Sequence, residues 1–108
     1  MATGRLGTPI KVGTTNTTLY TVPSGYYSVF NVSLTNTSSS AATITLYLAQ
    51  TAASPLATEA IEQQTTIVGY GVFERTGLVL QAGYSVVATS ATGGVINGVI
   101  YGIETSTS

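Results

Sequence analysis

The sequence predicts an all-β fold, a jelly-roll-like β-sandwich of about seven or eight antiparallel strands, and three observations carry that expectation. The chain is rich in Thr, Ser, Gly, Val, Ile and Tyr, which favour strands and turns over helices. Apolar and polar residues alternate at period two in several short runs. Clusters of Gly, Pro, Ser and Asn punctuate those runs at short, regular intervals.

Taken in order, residues 1–18 offer few core positions and are expected as an extended N-terminal arm, residues 19–104 as the sandwich, and residues 105–108 as a polar tail. The arm's expected anchors on a neighbouring subunit are Arg5, Leu6, Ile10 and Lys11. Leu19 to Val22 form the first strand. Phe30, Val32 and Leu34 then share one face against Asn31, Ser33 and Thr35, and Ile44, Leu46 and Leu48 repeat the pattern against Thr43, Thr45 and Tyr47. The turn-prone link from Asn36 to Ser40 predicts that these two runs pair as antiparallel neighbours. Pro55 to Gln63 is the one passable helical window, although its apolar spacing also suits a strand. Further strands are expected over Glu59 to Val68, Val72 to Leu80, Ser85 to Thr89 and Val95 to Glu104, divided by turns at Gly69, Gly83 and Gly93-Gly94.

Two local signals stand out within this frame. Gly98 and Gly102 fall on the face of Ile96 and Ile100, a spacing that marks a bend or a close approach of backbone or ring. Val22-Pro23-Ser24-Gly25-Tyr26 and Leu80-Gln81-Ala82-Gly83-Tyr84 repeat one corner chemistry ahead of two strands.

Composition restricts function. With no His, no Cys, three basic and four acidic side chains, the chain lacks most parts of acid–base, nucleophilic or metal chemistry, so no catalytic residue, cofactor or metal site is expected. The scattered Arg5, Lys11 and Arg75 make no basic patch for nucleic acid. No apolar run approaches the roughly 18 residues that span a bilayer, and the first residues lack a secretory-leader pattern, so neither nucleic acid nor membrane is expected as a partner. Charged residues make up only 6% of the chain, against about 25% in an average soluble domain, which leaves a surface poorly protected against association.

The remaining candidates therefore concern interfaces. Glu74 and Arg75 are adjacent on a strand and point to opposite faces, so Arg75 must find a carboxylate elsewhere: an intersubunit bridge to Glu59, Glu62 or Glu104 weighs about evenly against an ordinary surface pair. Glu59 and Glu62 are also the only acids near enough in sequence to suggest a glycosidase pair, a reading that no aromatic cleft accompanies. Tyr20, Tyr47, Tyr70 and Tyr101 are the expected tyrosine contacts, with interface burial favoured over sugar stacking because Trp is absent.

Leu6-Gly7-Thr8-Pro9, the run Thr17 to Gly25, the run Phe73 to Leu80 and the closing Tyr101-Gly102-Ile103-Glu104 together resemble a group of small virion structural proteins of tailed bacteriophages, cyanophages among them. The resemblance implies a β-sandwich subunit present in many copies on the virion and assembled in the host cytoplasm. It implies a capsid decoration, or cement, protein that forms a homo-oligomer, expected as a trimer, on the major capsid protein. A tail or fibre component is the alternative, contacting a host surface through loops such as 36–40 and 51–58. A carbohydrate-binding module with a glycan receptor is a more distant one.

Overall fold

A computed structural model describes residues 3–107. Their strands are β1 (Thr3–Val12), β2 (Thr17–Thr21), β3 (Tyr26–Asn36), β4 (Ala42–Ala49), β5 (Ala60–Ile67), β6 (Val72–Gln81), β7 (Ser85–Ser90) and β8 (Ile96–Ser106). They build two four-stranded antiparallel sheets, a front sheet in the order β1-β8-β3-β6 and a back sheet in the order β2-β7-β4-β5. Every connection except β4–β5 crosses from one sheet to the other, which is the jelly-roll pattern of interlocked Greek keys. The only helical element described is a single 3-10 turn at Ala57–Glu59, so most of the window around Pro55 to Gln63 is loop and strand.

Alternation decides which side chains fill the space between the sheets. Phe30, Val32 and Leu34 of β3 and Ile44 and Leu46 of β4 are all buried in one continuous core with Leu6, Val12, Leu80, Val86, Ile96 and Ile100. The two runs expected to pair as neighbours do not pair. β3 hydrogen-bonds to β6 and β8, whereas β4 bonds to β5 and β7, so the runs face one another across the core. Either arrangement buries the same residues, and alternation alone does not separate them.

The expected arm is also corrected for the described residues. β1 is the edge strand of the front sheet, pairing with β8 from Thr3↔Ile103 to Val12↔Ile96 around a bulge, and it sends Leu6 and Val12 into the core. β2 begins at Thr17, so the segment joining the two is short. The tail likewise starts later than expected, because β8 continues to Ser106 and the Thr107 N–H donates to the Gly25 carbonyl at 2.9 Å. The two similar corners sit against each other: the Val22 N–H donates to the Tyr84 carbonyl and the Gly83 N–H to the Val22 carbonyl, both at 3.0 Å.

The glycines of β8 mark close approaches. A Cβ on Gly102 would stand 2.1 Å from the Val29 carbonyl oxygen and 2.6 Å from the Phe30 Cα, and neither backbone atom is free to withdraw. At Gly98 the nearest atom is a Leu19 methyl carbon at 2.9 Å, a side chain with room to rotate.

Candidate interaction surfaces

Strand register sorts the predicted contact residues into core, clasp and surface. Leu6 is core, and so is Tyr20, whose ring meets Phe30 edge-on with centroids 6.1 Å apart. The Tyr20 hydroxyl donates to Glu104 Oε2 at 2.5 Å. A phenol has one proton, so the 2.7 Å contact with Ser28 Oγ is a bond that the serine donates. This bridge ties β2 of the back sheet to β3 and β8 of the front sheet. Burial, and then the hydrogen bond to Glu104, push the Tyr20 phenol up to about 12. Both residues are thus corrected from contact anchors to parts of the fold, and the bulge between Thr18 and Tyr20 that turns Leu19 and Tyr20 inward together is invisible to period two.

Arg75 finds its carboxylate within the chain. Its guanidinium pairs with Glu62 and also donates to the Ile61 carbonyl, clasping edge strand β6 of one sheet to edge strand β5 of the other. Within this chain the expected intersubunit bridge is therefore replaced by an intersheet one. Glu62 also accepts from the Thr65 hydroxyl. Glu59 accepts from the backbone N–H groups of Leu56 and Gln50, at 2.8 and 2.9 Å, closing the β4–β5 loop. These two bonds, Leu56 first, hold the Glu59 carboxyl below its ordinary range. Each of the two acids thus holds a loop or a strand.

The other candidates are superficial. Tyr47 is half-buried on the outer face of the back sheet opposite Val87. Tyr70 is 72% exposed and adopts φ +59°, a left-handed conformation uncommon for a bulky residue, in a turn whose N–H donates to the Ser38 carbonyl. Val68 and Val72 beside it are exposed too, so this end of the sandwich carries a small apolar crest. Arg5, Ile10 and Lys11 are exposed on β1, and Lys11 Nζ donates to Asn97 Oδ1 at 2.8 Å. Tyr101 lies on the outer face of the front sheet and its hydroxyl donates to Glu74 at 2.9 Å, a bond that raises the phenol pKa.

Three exposed residues on the same face escaped the sequence reading. Val29, Val79 and Ile103 form one row across β6, β3 and β8, because Val29 is the register partner of both Val79 and Ile103. Tyr27 stands beside the row, also exposed. The available signal was parity: each occupies the solvent-facing step of its strand, out of phase with the buried Phe30, Leu80 and Ile100.

Concave features are shallow. One open depression of about 320 Å³ lies between the β1 bulge and β8, lined by Pro9, Ile10, Lys11, Asn97 and Val99. Another of about 430 Å³ lies over the back sheet, lined by Thr14, Thr43, Thr45, Gln64, Thr89, Ser90 and Ala91. Neither contains a carboxylate. Among the described residues no group of three or more His, Cys, Asp or Glu side chains stands close enough to hold a metal ion, and no helix is long and apolar enough to cross a membrane.

Fold and surfaces together define a jelly-roll β-sandwich whose charged groups mostly serve its own cohesion. No family model, curated protein or solved structure matches the chain.

Proposed function

We propose that this protein is a structural subunit of a tailed-phage virion, most specifically a capsid decoration protein that stabilises the shell by contacts among several subunits. The observation that supports this reading is where the polar chemistry goes: Glu59, Glu62, Arg75 and Glu104 brace loops and strands, while the surface presents apolar rows and hydroxyl-rich faces suited to docking. The resemblance of the four sequence segments to small virion proteins supplies the setting. On this reading the mechanism is mechanical, with a rigid sandwich burying apolar surface across adjacent capsid subunits to oppose internal pressure. The protein acts as a homo-oligomer, carries no cofactor and performs no reaction.

One feature favours a second reading, as a tail or fibre component. The crest of Val68, Tyr70 and Val72 projects at the end of the sandwich where the β5–β6 turn bonds to the loop from residue 37 to 41, which suits end-on contact with another surface. A glycan platform draws less support, because the two exposed tyrosines, Tyr27 at the start of β3 and Tyr70 beside the loop after β3, stand about 30 Å apart along the strand.

The experiment is recovery of purified protein on shells that lack tails. Saturable binding in fixed proportion to the major capsid protein is expected. Binding only to tails or whole particles would replace the decoration reading with the tail reading, and binding to neither would overturn both.

A further inference from the structure

The outer face of the front sheet sorts its charged side chains by sign. Three of the seven charged side chains share this face, and none of them forms an ion pair among the described residues: Arg5 and Lys11 on edge strand β1, and Glu74 on the opposite edge strand β6. Toward the end of the face beyond Arg5 run the exposed Ile103, Val29 and Val79 in a single register row, flanked by Tyr27, whereas the rows between the charges mix Tyr101 and Val99 with Asn31, Ser33 and Asn97. Such an arrangement, with opposite charges on opposite margins, is complementary to itself under one rotation.

We propose that two copies of this chain pair front sheet to front sheet, about a two-fold axis that lies in the interface, runs parallel to the strands and passes between β8 and β3. That rotation reverses the strand order of the second copy. It places β8 over the partner's β3 and β1 over the partner's β6 while leaving each row at its own height. Ile103 then meets the Val29 of the partner subunit. Arg5, level with Tyr101, and Lys11, level with Asn97, bracket the height of Glu74, the register partner of Ser33, so both cations face the partner subunit's Glu74. An axis across the strands would instead set β1 over β1 and β6 over β6, juxtaposing like charges, which electrostatics disfavours.

The size of the face sets the strength. Four strands about 4.8 Å apart and about ten residues long give a face on the order of 600 Å², or about 1,200 Å² counted over both copies. That is the lower bound for a specific interface, so the pairing is reversible and concentration-dependent. It stands independently of the virion reading.

Sedimentation equilibrium of the full chain tests it, with charge reversal as the specific readout. The expected result is a monomer–dimer equilibrium that Val29→Lys abolishes. Arg5→Glu and Glu74→Arg should each raise the dissociation constant by about tenfold, and Arg5→Glu, Lys11→Glu and Glu74→Arg together should return it to within about threefold of the original, since the full reversal exchanges the signs and keeps the attraction. All four sites are exposed, so the variants retain the core. A chain that stays monomeric at about 100 µM, one that forms a trimer, a dimer indifferent to Val29→Lys, or a full reversal weaker than either single one overturns the proposal. Shell binding is read separately: a monomer that binds tailless shells removes the two-fold pairing and leaves the decoration reading intact, and a dimer that ignores shells does the converse.

Discussion

The two outer faces of this sandwich differ in how far the chain itself covers them. On the back sheet, Ala49 and Val87 point away from the continuous core yet are fully buried, where the 3-10 turn of the β4–β5 loop packs beside β4 and Glu59 ties that loop to Gln50 and Leu56. On the front sheet, Val29, Val79 and Ile103 are between 43% and 59% exposed, and none of the described loops lies over them. One face is thus partly closed by its own chain, and the other is left open with its charges sorted to the margins. The difference teaches that strand alternation decides which side chains point outward, whereas the course of the loops decides which of those are covered.

The largest expected effect comes from breaking the front sheet at its centre. Gly102→Val puts a side chain into the Val29 carbonyl and should cost about 3 kcal/mol or more, measured by denaturant unfolding. Gly98→Ala, which meets only a leucine side chain, should cost markedly less, and equal losses would show that the backbone contact is not what separates them. Next in size is Leu6→Ala, at about 2–5 kcal/mol if β1 is a core-forming strand, whereas a dispensable arm would leave unfolding unchanged.

Tyr20→Phe removes the bridge between the sheets and should cost about 1–3 kcal/mol, because Ser28 and Glu104 lose a buried partner. The same group gives a pH signature. Its folded pKa lies above the unfolded value of 10.0, so its stabilisation is complete below pH 10.0 and is lost as pH rises through about 12. The Phe variant should show a smaller alkaline decline in melting temperature than the parent, the part from Tyr101 remaining.

Smaller effects sharpen the contrast between the faces. Glu59→Gln should speed amide exchange around Gln50 and Leu56 and leave the front sheet unchanged; equal acceleration in β3 and β8 would dissolve the distinction between a covered and an open face. Because the folded Glu59 pKa is depressed, its contribution is present above the ordinary value of 4.5 and fades as pH falls through the lower, folded one. Arg75→Met is expected to be the mildest, about 0–1 kcal/mol, since the pair with Glu62 remains partly solvated at the sandwich edge.

Several features of the site were legible in the sequence and others were not. The opposite facing of Glu74 and Arg75 follows from strand geometry, and the structure sends Glu74 to Tyr101 and Arg75 to Glu62 as that geometry requires. Which carboxylate Arg75 would take was not legible, because Glu59, Glu62 and Glu104 are all acids on strands or their margins and only the packing of one sheet edge against the other selects Glu62. Tyr20 looked like its fellow tyrosines until a bulge turned it inward. The row formed by Val29, Val79 and Ile103 required knowing that β3 lies between β6 and β8.

By itself the sequence determined that the chain is β throughout, where most strands lie, and which residues of each strand share a face, because a period of two is a local property of an extended backbone. Tertiary structure alone decided which strands are neighbours. Two strands bury the same side chains whether they hydrogen-bond side by side or pack face to face, and only the requirement that every strand find partners within two closed layers distinguishes these cases. That requirement drew the N-terminal segment into the front sheet, separated β3 from β4, and left one outer face open.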